Sequence, residues 1–213
     1  MLLNKKVFAL HRAAYVGADR PYINGVSIQT DGSGVATDGA LLVKWTPAYV
    51  EDPKEYPVVD GVNPISDVSL IPFTLERETC QKIEKSIPRR TTLPILSQVA
   101  LDVAQTNQGG TAFMAVTDLQ TPQIFRARKI NQIDEGGLED NAFPQYERVI
   151  PTAEPAVTIS FNLANLKRLI DTLQALGLEH ATFEFHDAES AAKVTGKNGD
   201  GSALAVIMPF RTR

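Results

Sequence analysis

The chain has 213 residues, 43% hydrophobic and 22% charged, with a net charge of −4, an ordinary globular profile with room for one large domain or two small ones. No apolar run approaches the ~18 residues of a membrane span, and charges interrupt the apolar N-terminal stretch before a signal-type core can form. The lone Cys80 excludes an internal disulfide, so the expected setting is a reducing cytoplasm.

In chain order, the first predicted helix lies within residues 1–20 and is short and alanine-rich, with Val7, Leu10 and Ala14 on one side. The run "RPYINGVSIQTDGSGVATDGALLVKWTP" then reads as short β segments separated by Asp-Gly and Gly-Ser-Gly turns. Residues 48–65 form a proline- and acid-rich connector with no helical period. The second helix, within residues 75–90, has acids in its first turn and lysines in its last, complementing the helix dipole. Cys80, Ile83 and Ile87 share its apolar face, which makes Cys80 a packing residue rather than a nucleophile. Pro88 ends it. The segments "LPILSQVALDV", "AFMAVTDL" and "PQIFRARKI" follow as strands.

An acidic, glycine-bearing run then leads into "NAFPQYERVIP", residues 141–151. Its prolines forbid a regular helix, yet Phe143, Tyr146, Val149 and Ile150 make it far more apolar than a connector needs to be. The third helix, 161–177, carries Leu163, Leu166, Leu169, Ile170, Leu173 and Leu176 at spacings of three and four. Ser160 or Asn162 can cap its start, and Gly177 fits the left-handed position past its end. Three more β segments close the chain, with Phe183 and Phe185 alternating against Thr182, Glu184 and His186.

The organisation is therefore α+β: one helix plus about three strands of mostly antiparallel sheet, repeated three times with a period of roughly 60–80 residues. The expected division is a domain over 1–151, made of halves 1–47 and 66–151 around the connector 48–65, and a third half-unit over 152–213. Charge follows the same pattern. The predicted helices hold eleven bases (Lys5, Lys6, Arg12, Arg20, Arg77, Lys82, Lys85, Arg89, Arg90, Lys167 and Arg168) against five acids, so the remainder of the chain carries −10. Basic helix faces on an acidic protein suit a partner with phosphates, although lysine and arginine also favour solvated helix faces for their own sake.

Catalytic patterns are weak. His11, His180 and His186 are scattered, and His186 and Asp187 point to opposite faces of a strand. "GDGSA" lacks the nucleophile-elbow pattern, and "TNQGGT" and "TDGSG" are hairpin turns without the lysine and helix of a phosphate loop. The acidic run 134–141 lacks the regular oxygen spacing of a calcium loop. We expect no cofactor, no metal and no catalytic residue. An unrelated α+β enzyme is the weakest of the readings.

Four strings carry a family resemblance. "RPYINGV…VATDGALL" resembles the strand-turn segment of the bacterial DNA polymerase III beta subunit, the sliding clamp, in which an arginine-aromatic-leucine-asparagine-glycine run precedes Ala-Thr-Asp-Gly. "RTTLPILSQVALDV" resembles its Arg-Pro-Thr-Leu-Pro-Ile-Leu element, "FPQYERVIP" its interdomain linker, and "AVIMPFR" its closing strand. They stand in the family's order and together tag residues 1–151 and 155–213. The resemblance implies about one and a half clamp domains, the two halves of a middle domain and the second half of a last one. It is thus a shortened clamp-like chain, which would need four copies to close a six-domain ring.

The resemblance implies a non-enzymatic replication accessory, a processivity factor that binds double-stranded DNA without reading sequence. Lys5, Arg12, Lys82, Lys85, Lys167 and Arg168 are its candidate phosphate contacts. It also implies a hydrophobic pocket that receives a short peptide from replication or repair proteins. Its parts map to Ile23, Thr37, Gly39, Leu41 and Leu42, to Pro144, Arg148 and Val149 of the linker, and to Val206 and Met208 of the last strand. Ala40 and Leu41 stand where the family often has His-Arg, making this edge less polar. The alternative is a clamp-derived peptide-binding module, of mobile-element or phage type, that does not encircle DNA. In either case homo-oligomers are expected, because a half-unit without a mate leaves apolar surface in water.

Overall fold

A two-residue strand, β1 (Leu2–Leu3), leads into a short helix, α1 (Lys5–Phe8). The Asn4 side chain caps it, accepting from the Lys6 amide at 3.0 Å, and a 3-10 turn continues through Ala13. The first helix is shorter than the sequence predicts because the Tyr15 amide is drawn into the next hairpin, donating to the carbonyls of Ile23 and Thr37 at 3.1 and 3.2 Å. Strands β2 (Gly25–Ile28), β3 (Gly34–Thr37) and β4 (Leu42–Trp45) follow. Gly32 and Gly39, at φ +73° and +96°, turn the chain between them in a backbone region that side chains rarely adopt. Next come β5 (Tyr49–Val50), β6 (Phe73–Glu76), α2 (Arg77–Ser86), β7 (Val99–Thr106), β8 (Gly109–Val116) and β9 (Gln123–Arg126). Pro88 ends α2 by holding Ile87 extended, at ψ 127°.

The structure is a computed structural model and describes residues 1–50, 55–63, 73–88, 91–106, 109–126 and 143–210. The acidic run 134–141, Arg89 and Arg90, and the ends of the connector lie outside the described residues. The chain forms two units, Met1–Tyr146 and Glu147–Arg213.

In the first unit the strands pair antiparallel in two sheets, ordered β4-β3-β2-β6 and β5-β1-β7-β8-β9. Each sheet takes a strand from the other's stretch of sequence: β1 pairs with β7, and β6 pairs with β2. That exchange closes both sheets and both helices onto one core. Leu3, Met114 and Val116 from one sheet meet Val26, Ile28 and Leu75 from the other, with Phe8, Leu10, Cys80 and Ile83 from the helices. Part of the far face of the five-stranded sheet is covered by the connector, whose Tyr56, Val59 and Val62 pack on Leu2, Ala100 and Ala115.

The second unit is a helix on a three-stranded antiparallel sheet: α3 (Leu163–Ala175), β10 (Thr182–Glu184), β11 (Ala192–Lys197) and β12 (Ser202–Ile207), ordered β10-β11-β12. Asn162 is the cap, accepting from the amides of Ala164 and Asn165. Gly177, at φ +75°, ends the helix as expected, with the Leu178 amide donating to the Leu173 carbonyl at 3.1 Å and the Gly177 amide to Gln174 at 2.9 Å. Leu173, Leu178, Ala192, Val194 and Ile207 form the buried cluster between helix and sheet. The apolar stripe of α3 is wider than this sheet covers, so Leu163, Ile170 and Leu176 remain exposed.

Candidate functional site

In the linker-like segment 143–150, the strap, Tyr146 is buried, and its ring meets Phe143 edge-on at 6.3 Å. Lys44, on β4, donates to its hydroxyl at 3.1 Å and to Asp31 at 2.7 Å, with the ammonium 5.3 Å from the Tyr146 ring centroid. The Lys44 ammonium, then the Ser33 hydroxyl, with the Ser33 amide, hold the Asp31 carboxyl down to about 2 against the opposing effect of burial. The aromatic content of the strap is thus spent on its own unit. Beyond this anchor Arg148 and Val149 are exposed, and so is Pro144 just before it.

The hairpin edge divides into support and surface. Ile23 and Thr37 are buried, Ile23 in the core behind the turn. The Thr37 hydroxyl donates to the Leu41 carbonyl at 2.7 Å and accepts from the Gly39 amide at 3.1 Å. Asp38 accepts from the amides of Leu41 and Ala40, which keeps its carboxyl below the usual range. The turn so fixed presents Leu41, 51% exposed, while Leu42 is half-buried at the start of β4. In the second unit, β12 turns Leu204 and Val206 outward, and Met208 beyond it is also exposed. The register sets Val206 beside Lys193 and Leu204 beside Thr195, so this strip borders a mixed polar face in which Lys193 pairs with Glu184 at 3.0 Å. β12 is an edge strand.

The basic residues also divide. Lys5, Arg12 and Lys85 converge on a cleft between α1 and α2, which Lys82 does not line although it is exposed on α2. Arg12 donates to Glu84 at 3.0 Å, and the His11 Nε2 lies 3.0 Å from the other carboxylate oxygen. Burial opposes the charge of Glu84, but the bonds from Arg12 and His11 outweigh it and hold the carboxyl below its ordinary value. Lys167 pairs with Asp171 one turn on, at 2.6 Å, and Arg168 donates to Asn165 at 3.1 Å. His11 is the residue whose setting the sequence hides: it is buried and joined to Glu84, 73 positions away, and no local spacing signals that pair.

His180 and His186 are exposed, and Asp187 closes a turn with the Ser190 amide and hydroxyl. Among the described residues no group of three or more His, Cys, Asp or Glu converges on one point. Burial pushes the Cys80 thiol up to about 12, far from a reactive thiolate. No described helix is long and apolar enough to cross a membrane.

No family model matches the chain, and no curated protein matches it by sequence. Solved structures do. The C. crescentus beta sliding clamp matches with a TM-score of 0.59 over 98% of this chain and 50% of its own, at 16% identity. A second structure of the Caulobacter crescentus pol III beta gives 0.56 over 97% and 49%, also at 16% identity. A Eubacterium rectale protein described as a DNA polymerase III beta subunit gives 0.60 over 97% and 47%, at 11% identity. The chain therefore has the α+β fold of the DNA polymerase III beta sliding clamps, as the four sequence strings imply. It spans about half the length of the clamp structures it matches.

Proposed function

We propose that the protein is a non-enzymatic, sliding-clamp-like accessory of DNA replication. It holds duplex DNA without sequence preference through basic side chains of its helices, and it docks short peptides from polymerase-type partners on exposed apolar residues. The observation that carries this reading is the clustering of Lys5, Arg12 and Lys85 on two packed helices, with Lys82 exposed alongside, in a chain whose net charge is −4. Loose phosphate contacts of this kind give affinity without base readout. On the second unit Lys167 and Arg168 would add to them.

For the peptide, the first unit offers Leu41, Leu42 and Pro144 over the supports Ile23, Thr37 and Gly39, and the second offers Arg148, Val149, Val206 and Met208. A few apolar anchors with a flexible thioether among them suit a small set of related peptides. A second reading, a peptide-binding module that does not encircle DNA, draws on the pairing of Arg12 with Glu84 and of Lys167 with Asp171, which spends part of the helix charge internally.

Two titrations test the reading. Duplex binding should weaken with salt, and Lys82→Glu should lower the slope of log affinity against log salt by about one. A clamp-type peptide labelled for fluorescence anisotropy should bind the wild type and lose at least about tenfold with Met208→Asp or Leu42→Asp. A duplex affinity independent of salt, or peptide affinities untouched by both substitutions, would refute the corresponding half.

A further inference from the structure

The cleft between α1 and α2 is more than a charged surface. It is a half-open groove of about 620 Å³, within the size range of small-ligand sites. Lys5, Lys6, Arg12 and Lys85 line it against one carboxylate, Glu84. Both oxygens of that carboxylate are already engaged, one by Arg12 and one by His11. Lys5 and Lys85 have no carboxylate partner among the described residues, and Lys6 lies 4.9 Å from the centroid of the Trp45 ring instead. Among the described residues the cleft therefore concentrates positive charge in excess of its one carboxylate.

His11 also lines the cleft, with its side chain 7% exposed and its Nε2 held by Glu84. The remaining wall is made by Ala9, Ile87 and Pro88, which are apolar, and by Gln81. Charge at one side and an apolar wall at the other suit a ligand that is itself divided.

We propose that this cleft binds a small phosphorylated ligand of the free-nucleotide class. Its phosphates lie among Lys5, Lys6, Arg12 and Lys85, and its nucleoside lies against Ile87 and Pro88. Three of these cations also serve the DNA contact proposed above, but the two readings stand apart. Holding a duplex needs exposed charge anywhere on the helices, whereas a nucleotide needs this one groove.

Isothermal titration of the full chain with ATP at low salt, and separately with inorganic pyrophosphate, tests it. The expected result is saturable one-site binding of ATP, tighter than pyrophosphate. Lys85→Glu should weaken it about ten- to a hundredfold, the loss of one charge-assisted contact. Lys167→Glu, on the other unit, should leave it unchanged. Lys5→Glu repeats the test should Lys85→Glu fail to fold, which the melting temperature reports. Duplex binding, by contrast, should fall with both Lys85→Glu and Lys167→Glu, so either reading can fail without the other. No saturable binding, ATP no tighter than pyrophosphate, or equal weakening by Lys167→Glu would overturn the proposal.

Discussion

Lys44 ties three pieces of the first unit together with one ammonium, its own strand, the Asp31 turn and the strap through Tyr146. The arrangement carries a pH signature. Asp31 titrates at about 2 rather than 3.8 in the folded chain, so its contribution to stability is complete above pH ~4 and fades as pH falls toward 2. Thermal melts of wild type and Asp31→Asn should differ at neutral pH and converge between pH ~4 and ~2; a difference that persists unchanged at pH 2 would mean that the carboxylate is not the cause. At this scale the sequence conveys identity but not partnership. That "NAFPQYERVIP" is too apolar for a connector is visible in its letters. That Tyr146 is held by a lysine 102 positions earlier is not, because nothing local joins them. His11 and Glu84 are hidden for the same reason.

Among the elements, those governed by local chemistry follow the sequence closely. Pro88 stops α2, Gly177 closes α3 in the left-handed region, and the Asp-Gly turns make the hairpins. Asn162 rather than Ser160 proves to be the cap, and Asn162→Ala should cost the second unit about 1 kcal/mol in denaturant unfolding; an unchanged midpoint would show that the helix start is held elsewhere. Elements decided by long-range pairing are less legible. The first helix yields its last predicted turns to the hairpin through the Tyr15 amide, and β1 and β6 join sheets whose other strands lie far off in sequence. The connector's Tyr56, Val59 and Val62 look unremarkable in a proline-rich stretch, yet they bury Leu2, Ala100 and Ala115 on a sheet face. Periodicity predicts that α3 is amphipathic but not how much of its stripe a three-stranded sheet can bury, and Leu163 is left 79% exposed.

For the whole molecule, the fold is that of the sliding clamps across nearly the full chain, while the chain spans about half of a clamp. Fold alone does not carry function; in the role proposed above the protein would stay on DNA by surrounding it rather than by binding it tightly. The exposed Leu163, Ile170, Leu176 and Phe210 of the second unit are apolar surface that self-association in that role would cover. The measurement that bears most directly on the proposed role is retention on a closed circular duplex compared with the same duplex linearised, at a salt concentration that releases simple electrostatic binders. The account predicts that the protein stays with the circle and runs off the linear form. Equal release from both, or equal retention on both, would contradict it.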